Sequence, residues 1–287
     1  MLSIIALDRH RPMTVEGGVP GGALTAVATD AAEATPEQPE VTATPTTVGS
    51  RVLASLDANT AVRASVTTCP TPTSIEVTAD GGATWEAFTA DRIAAVQRIT
   101  VGADAFIGML GLAVEGCTPT FERSFVGGAA WEAAPGEAAS SWYVDASNRG
   151  VLHTPTGDRS APCAAAVQIA VVDQLAAGVL CDDGTLHATA DAGVNWMPPI
   201  SMPGAGAIAA GGSGYLVVDL HPDECAGARL IEVSIAVGGL SHGAAGACLT
   251  ATAAAGEVAI STAADGTTWL WAGDALGRTD DGGTTWL

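Results

Sequence analysis

TADGGATW (78–85), TADAGVNW (189–196) and TDDGGTTW (279–286) are one octapeptide written three times. All fit Thr-x-Asp-x-Gly-x-x-Trp. This sets Thr78, Asp80, Gly82 and Trp85 in register with Thr189, Asp191, Gly193 and Trp196, and with Thr279, Asp281, Gly283 and Trp286. A fourth copy, SFVGGAAW (124–131), keeps Ser124, Gly128 and Trp131 but has Val126 in the Asp slot. A fifth, SIAVGGLS (234–241), keeps only Ser234 and Gly238. The Asp slots 80, 126, 191, 236 and 281 lie 46, 65, 45 and 45 residues apart. A weak copy midway between strong ones marks a periodic array.

The pattern has a mechanical reading. Strand-like runs such as SIEVTAD and TLHATAD lead into it, so it closes a hairpin. The Asp carboxylate accepts backbone N–H groups of the turn, and the Ser/Thr hydroxyl does likewise. The Gly takes a turn conformation that other residues resist. The Trp opens the next strand and packs its ring into the gap between neighbouring sheets. One such hairpin per four-stranded sheet, repeated radially, is an all-β propeller.

These motifs resemble the Asp-box (BNR) repeats of sialidase-like, sortilin-like and photosystem-assembly-type propellers. The sequence around them is similar to uncharacterised exported propeller proteins of actinobacteria, which set a membrane anchor and a Pro/Thr stalk before the domain. The resemblance covers residues 51–287. It implies architecture and not activity, because such turns occur in enzymes and non-enzymes alike. The expected blades span 51–91, 92–138, 139–163, 164–202, 203–246 and 250–287. That is a count of six, with seven as the alternative, and the third is short. The chain stops one residue after Trp286. The last outer strand is therefore expected from elsewhere, with the residues before Arg51 as the candidate.

The six cysteines are Cys69, Cys117, Cys163, Cys181, Cys225 and Cys248. None forms a Cys-x-x-Cys pair, and no His stands at zinc-finger spacing. An even, scattered set favours disulfides and an oxidising compartment over free cytosolic thiols. On the blade assignment, Cys69, Cys117, Cys181 and Cys225 open turns between second and third strands. Cys163 and Cys248 lie in connections between blades. All then emerge on the face opposite the Asp-box turns. Partners must lie in the same or adjacent blades to come within roughly 7 Å. The expected pairs are Cys69–Cys117, Cys163–Cys181 and Cys225–Cys248.

Residues 1–50 read as a disordered segment and a Pro/Thr/Ala-rich stalk, since the first aromatic residue of the chain is Trp85. MLSIIAL (1–7) is too short to span a bilayer. It is either the remnant of a membrane anchor or an ordinary disordered start. The formal charge of −20, with no Lys among the eleven basic residues, argues against nucleic acid and against anionic lipid.

Candidate chemistry is sparse. Sialidase chemistry needs three Arg for a carboxylate, a Tyr nucleophile with a Glu partner, and an acid. The family's early Arg-Ile-Pro triplet is absent here, where Arg51 precedes Val52-Leu53. Tyr143 and Tyr215 are the only tyrosines, and neither has an evident Glu partner. GAGAIAAGG (204–212) reads as a glycine-rich blade connection, not a dinucleotide loop. His221-Pro222-Asp223-Glu224 reads as a solvated acidic turn. Asp80, Asp191 and Asp281 lack the further ligands of a calcium loop and read as structural. Trp142, Trp269 and Trp271 read as core. The expectation is an exported, monomeric binding or scaffold propeller for a peptide, glycan or envelope protein. No catalytic residue, cofactor or metal is expected. The alternative is a sialidase-like glycoside hydrolase.

Overall fold

Residues 48–220, 225–254 and 256–287 are described by the computed structural model. Residues 1–47 of the stalk expected over 1–50, and the acidic turn 221–224, lie outside them.

The strands form six antiparallel sheets that follow one another along the chain, a six-bladed propeller. Blade one holds β1 (Arg51–Ser55), β2 (Ala61–Ser65), β3 (Thr73–Thr78) and β4 (Glu86–Ala90). Blade two holds β5 (Ile93–Val101), β6 (Ile107–Ala113), β7 (Pro119–Ser124) and β8 (Glu132–Ala133), and a one-turn helix, α1 (Pro135–Ala138), follows it. Blade three is β9 (Tyr143–Val144), β10 (Val151–Thr154) and β11 (Gly157–Ser160). Blade four is β12 (Ala166–Val171), β13 (Ala177–Cys181), β14 (Thr185–Thr189) and β15 (Ile200–Ser201). Blade five is β16 (Ala205–Gly211), β17 (Gly214–Asp219), β18 (Gly227–Ala236) and β19 (Gly239–Ala245), with β20 (Leu249–Thr250) pairing β18. Blade six is β21 (Val258–Thr262), β22 (Thr268–Ala272) and β23 (Ala275–Thr279).

Sheets covered on both faces need strands that are apolar throughout and do not alternate, and the second strands of blades two, four and five are of this kind. IGMLGLA of β6 is buried over all but its last residue. The core is accordingly split into layers between blades. Val62, Ile75, Ile99 and Met109 fill the space between blades one and two, and Leu186, Ile208, Tyr215 and Val217 that between four and five. Leu53, Ala259 and Trp269 join six to one. Inner strands crowd toward the axis and use small residues there. A Cβ on Gly111 would lie 2.7 Å from the Ala94 carbonyl oxygen. GAGAIAAGG is thus corrected: its residues 205–211 are the inner strand β16, not a connection, and a Cβ on Gly206 would meet Leu220 and Val258 at 2.6 and 2.7 Å.

Inner strands have an edge with no strand beside it, and side chains from the preceding blade serve it. The Gln97 carboxamide accepts from Val144 N–H and donates to Val144 C=O. Gln168 accepts from Ile208 N–H, and Ser261 Oγ accepts from Ser55 N–H. The last contact closes the ring. The residues up to 47, expected to supply the last outer strand, lie outside the described residues. Ser50 N–H donates to Gly256 C=O at 2.7 Å, at the entry to β21 and away from the outer edge of β23. On that outer edge, Leu287 exchanges both backbone bonds with Arg278. Blade six has three strands among the described residues.

Blade three is short for a topological reason. In blade one the first turn docks on the octapeptide turn, since Gly81 N–H donates to Asn59 C=O at 2.9 Å. In blade three the first turn lies at the other end, where Arg149 donates to the carbonyl of Ala166 at the start of β12. Its second turn, at Pro155, lies beside Val171 at the end of β12. β9 therefore runs in the phase of a second strand, and the innermost strand of this blade is missing. The β10–β11 turn then falls in box register. Thr154 is fully buried, and its hydroxyl accepts from Thr156 N–H at 3.2 Å, as Thr78 accepts from Asp80 N–H at 3.4 Å.

Candidate functional site: the two ends of the ring

In an up-and-down blade the first and third turns share one end, and the second turn and the exit share the other. The six Cys lie at the second end. Cys69 joins Cys117 across blades one and two, with Cα atoms 5.9 Å apart. Cys163 joins Cys181 at 6.3 Å, and Cys225 joins Cys248 at 5.5 Å. All three separations suit an unstrained cross-link.

The octapeptide turns form the first end. In each full copy the Thr hydroxyl donates to the Asp carboxylate, at 2.8 Å for Thr78–Asp80, 2.9 Å for Thr189–Asp191 and 2.7 Å for Thr279–Asp281. The same hydroxyl accepts from the N–H of Gly82, Gly193 or Gly283 at 2.9, 3.1 and 2.9 Å. The carboxylate takes the N–H of Thr84, Asn195 or Thr285, each at 2.9 Å, and a second bond from that residue's side chain. Both oxygens are therefore engaged within the turn. Bonds from Thr84 hold the Asp80 carboxyl down at about 2, and those from Thr285 hold Asp281 at about 2. Asp191 is lowered by the Asn195 N–H.

The fourth position carries a bond that sequence reading misses. Gly81, Gly127 and Ala192 each donate N–H to the first turn of their blade, at Asn59, Ala105 and Leu175. They do so from a left-handed backbone, at φ +74°, +66° and +58°. Ala192 pays steric strain there, offset by burial beside Trp142 and Ala177.

Each Trp leans back onto the preceding blade. Trp131 packs on blade one, Trp196 on blade three, Trp286 on blade five and Trp85 on blade six. All four are half-buried, not fully enclosed. In the degenerate copy, Ser124 still accepts from Val126 and Gly128, but no carboxylate ties down the far side of the turn. The indole N–H of Trp131 is buried without a partner.

The exposed large hydrophobic side chains gather at this end. Phe125 and Val126 stand on the turn of blade two, and Val172, Leu175 and Val194 on the first and third turns of blade four. Ile235 and Val237 stand at the β18–β19 turn of blade five. Only Val126 carried a signal in the sequence, as an apolar residue in a lost Asp slot.

Between blades two, three and four, at the same end, a cleft of about 370 Å³ opens where the innermost strand of blade three would meet its first turn. Its walls include Thr100, Ser141, Trp142, Pro155 and Val171. Trp142 is buried and its indole donates to Asp173 C=O at 3.1 Å. Arg98 reaches in and donates to the Trp142 carbonyl at 3.2 Å. Burial pulls the Arg98 guanidinium below its ordinary value.

Of the tyrosines, Tyr215 is fully buried between blades four and five, and burial pushes its hydroxyl up to about 12. Tyr143 stacks on His153 with ring centroids 4.5 Å apart, and His153 Nδ1 lies 2.6 Å from Asp158. Trp269 is core, while Trp271 is sandwiched by Arg51 and Arg63.

No family model and no curated protein matches this chain. Solved structures are similar to it at low identity. YCF48 bound to D1 peptide is 18% identical, over 85% of this chain and 81% of that one, with a TM-score of 0.31. A GH74 xyloglucanase from Xanthomonas campestris is 16% identical, over 82% and 37%, at 0.31. A functionally unknown protein from Desulfotomaculum acetoxidans is 11% identical, over 83% and 84%, at 0.48. These likenesses concern the path of the chain and carry nothing about activity.

Proposed function

We propose that the chain is a non-catalytic binding or scaffold propeller of the Asp-box type, displayed outside the cell, with residues 51–287 as the binding domain and 1–50 as its stalk. One observation carries the reading: exposed apolar side chains are concentrated on the turns of one end of the ring, while disulfides brace the other. Soluble proteins scatter such residues singly, and a gathering of them marks a contact surface. The disulfides support an oxidising, extracellular compartment. The ligand class that suits an apolar rim is a peptide or envelope protein before a glycan, whose hydroxyls call for polar partners. Tyr215, enclosed between sheets, is out of reach of any substrate, and this weighs against a tyrosine nucleophile.

The test is a screen of peptides from exported proteins against the wild type and a variant with Val126, Val194 and Val237 all changed to Ser. Binding lost in the variant at unchanged melting temperature is the expected result. Hydrolysis of fluorogenic glycosides, abolished by Tyr143→Phe, would overturn the reading.

A further inference from the structure

We infer that the cleft between blades two, three and four is a receptor for the C-terminal carboxylate of a peptide whose last side chain is apolar, with Arg98 as the anion's partner. The inference rests on the binding reading above and names its ligand.

The first argument is electrostatic. Arg98 makes one hydrogen bond, to a neutral carbonyl, and among the described residues no carboxylate lies within ion-pair distance of it. The other desolvated arginine, Arg149, sets both Nε and an Nη on the carbonyl of Ala166. Arg63, Arg92, Arg123 and Arg229 hold carboxylates. Arg98 is only partly exposed and keeps N–H groups free of protein partners, which an anion entering the cleft would take. Its flat fork matches a carboxylate with two parallel bonds.

The second argument is shape. The volume of about 370 Å³ suits one or two residues, not a folded surface. Arg98 shares the cleft with the apolar side chains of Trp142, Pro155 and Val171, and with Asp173, whose carboxylate accepts the N–H groups of Leu175 and Ala176 within its own turn. A chain terminus presents the same juxtaposition, with its carboxylate and last side chain on one carbon. An internal Glu sets its charge at the end of a flexible stem, away from apolar neighbours. The hydroxyls of Thr100 and Ser141 line the rim, in reach of the last peptide unit. The exposed Val172 and Leu175 stand on the same turn as Asp173 and Gln174 of the cleft wall, where the preceding residues of the ligand would lie.

The experiment uses the full chain labelled with ¹⁵N, whose seven Trp indoles give separate signals. Three probes are titrated: acetyl-Ala-Ala-Val-Leu with a free carboxylate, the same peptide as its C-terminal amide, and acetyl-Ala-Glu-Val-Leu-amide. The expected result is a saturable shift of the Trp142 indole with the free acid alone. Arg98→Gln should weaken it at least tenfold, and Arg98→Lys should weaken it less. Should Arg98→Gln not fold, the acid-against-amide comparison on the wild type still decides. A shift by the internal-Glu amide equal to that of the free acid overturns the assignment to chain termini. No shift with any probe overturns the cleft as a receptor. In that case loss of binding in the rim triple variant would still leave the broader binding reading standing.

Discussion

The two ends of the ring are held by different physics. At one end three covalent bonds tie turns and connections together, across blades one and two and within the reach of blades three to six. At the other, third turns of blades one, two and four dock on first turns through single N–H bonds, and carboxylates organise three of the turns from within. A covalent rim is indifferent to pH and to side-chain identity. A hydrogen-bonded rim lets its variable positions change freely, and there the apolar residues and the cleft occur. The lesson is that rigidity and variability are separated by face: one end sets the frame so that the other can vary.

The largest way to break this contrast is to open the covalent end. In the chain-entropy account a disulfide stabilises by shortening the free loops of the unfolded chain, more for longer loops. Cys69 and Cys117 are 48 residues apart, against 18 for Cys163 and Cys181. Replacing the first pair by Ala should cost about 4 kcal/mol and the second about 3 kcal/mol. Denaturant melts of both double variants measure this. Equal stability of the wild type with and without reductant would remove the covalent frame from the account.

Next in size are the box tryptophans. Trp85→Ala and Trp286→Ala should each cost about 2 kcal/mol, below the value for a fully buried ring, because each ring keeps part of its surface in water. Trp85 closes blade one on blade six and shares its site with Arg63, 4.0 Å from the ring centroid. Its loss should therefore also broaden the unfolding transition. Trp286→Ala, between two ordinary neighbours, should keep it sharp. Identical transition widths would show that the closing interface is no different from the rest.

The repeat made much of this frame legible. Octapeptides 45 residues apart and cysteines in register within blades define turns, and turns define sheets. Blade three was harder to read, because its box slot is Thr154 in HTPTGD, with neither Asp nor Trp, and 30 residues from Ser124 instead of 46. The loss of its innermost strand shortened the spacing and hid the repeat together. The cleft was not legible at all. Arg98 looks like any residue of a strand until Trp142, 44 positions on, is brought under it. Side chains that meet only across a gap in the ring leave no local pattern. Ser50 is attached to blade six at its inner entry, a distinction that connectivity alone does not make.

A smaller effect separates the ends by pH. The carboxyls of Asp80 and Asp281 sit at about 2 in the folded chain against an ordinary 3.8. A depressed value means stability that is complete above the unfolded pKa and lost as pH falls through the folded one. The window is therefore from about pH 4 down to about pH 2. Acid also discharges an acidic surface, which acts in the opposite sense. The box contribution is best read as a difference. The melting temperature of the wild type should exceed that of Asp80→Asn and Asp281→Asn at pH 6, and the gap should narrow steadily toward pH 2. A gap constant across that range would mean that the carboxylates do not organise the turns.

The smallest effect is the most informative, because it turns one kind of turn into another. Blade two has the backbone of a full box, with Gly127 and Gly128 at φ +66° and +100° and Ser124 accepting two N–H groups. It lacks only the carboxylate. In the intact copies that group takes the N–H four residues on, which here belongs to Ala130. Val126→Asp should therefore supply the missing bond and raise stability by about 0.5–1 kcal/mol at neutral pH. The gain should vanish in acid, as the wild-type boxes lose theirs. The same change removes an apolar side chain that is 54% exposed on the octapeptide end. Stability and ligand binding should thus move in opposite directions: a higher melting temperature, and weaker capture of peptides long enough to reach blade two. If Val126→Asp strengthens or leaves unchanged both properties, Val126 is only a decayed box residue. If the two part, the loss of that carboxylate made surface for a partner, and the weak turns of this ring are where its recognition was built.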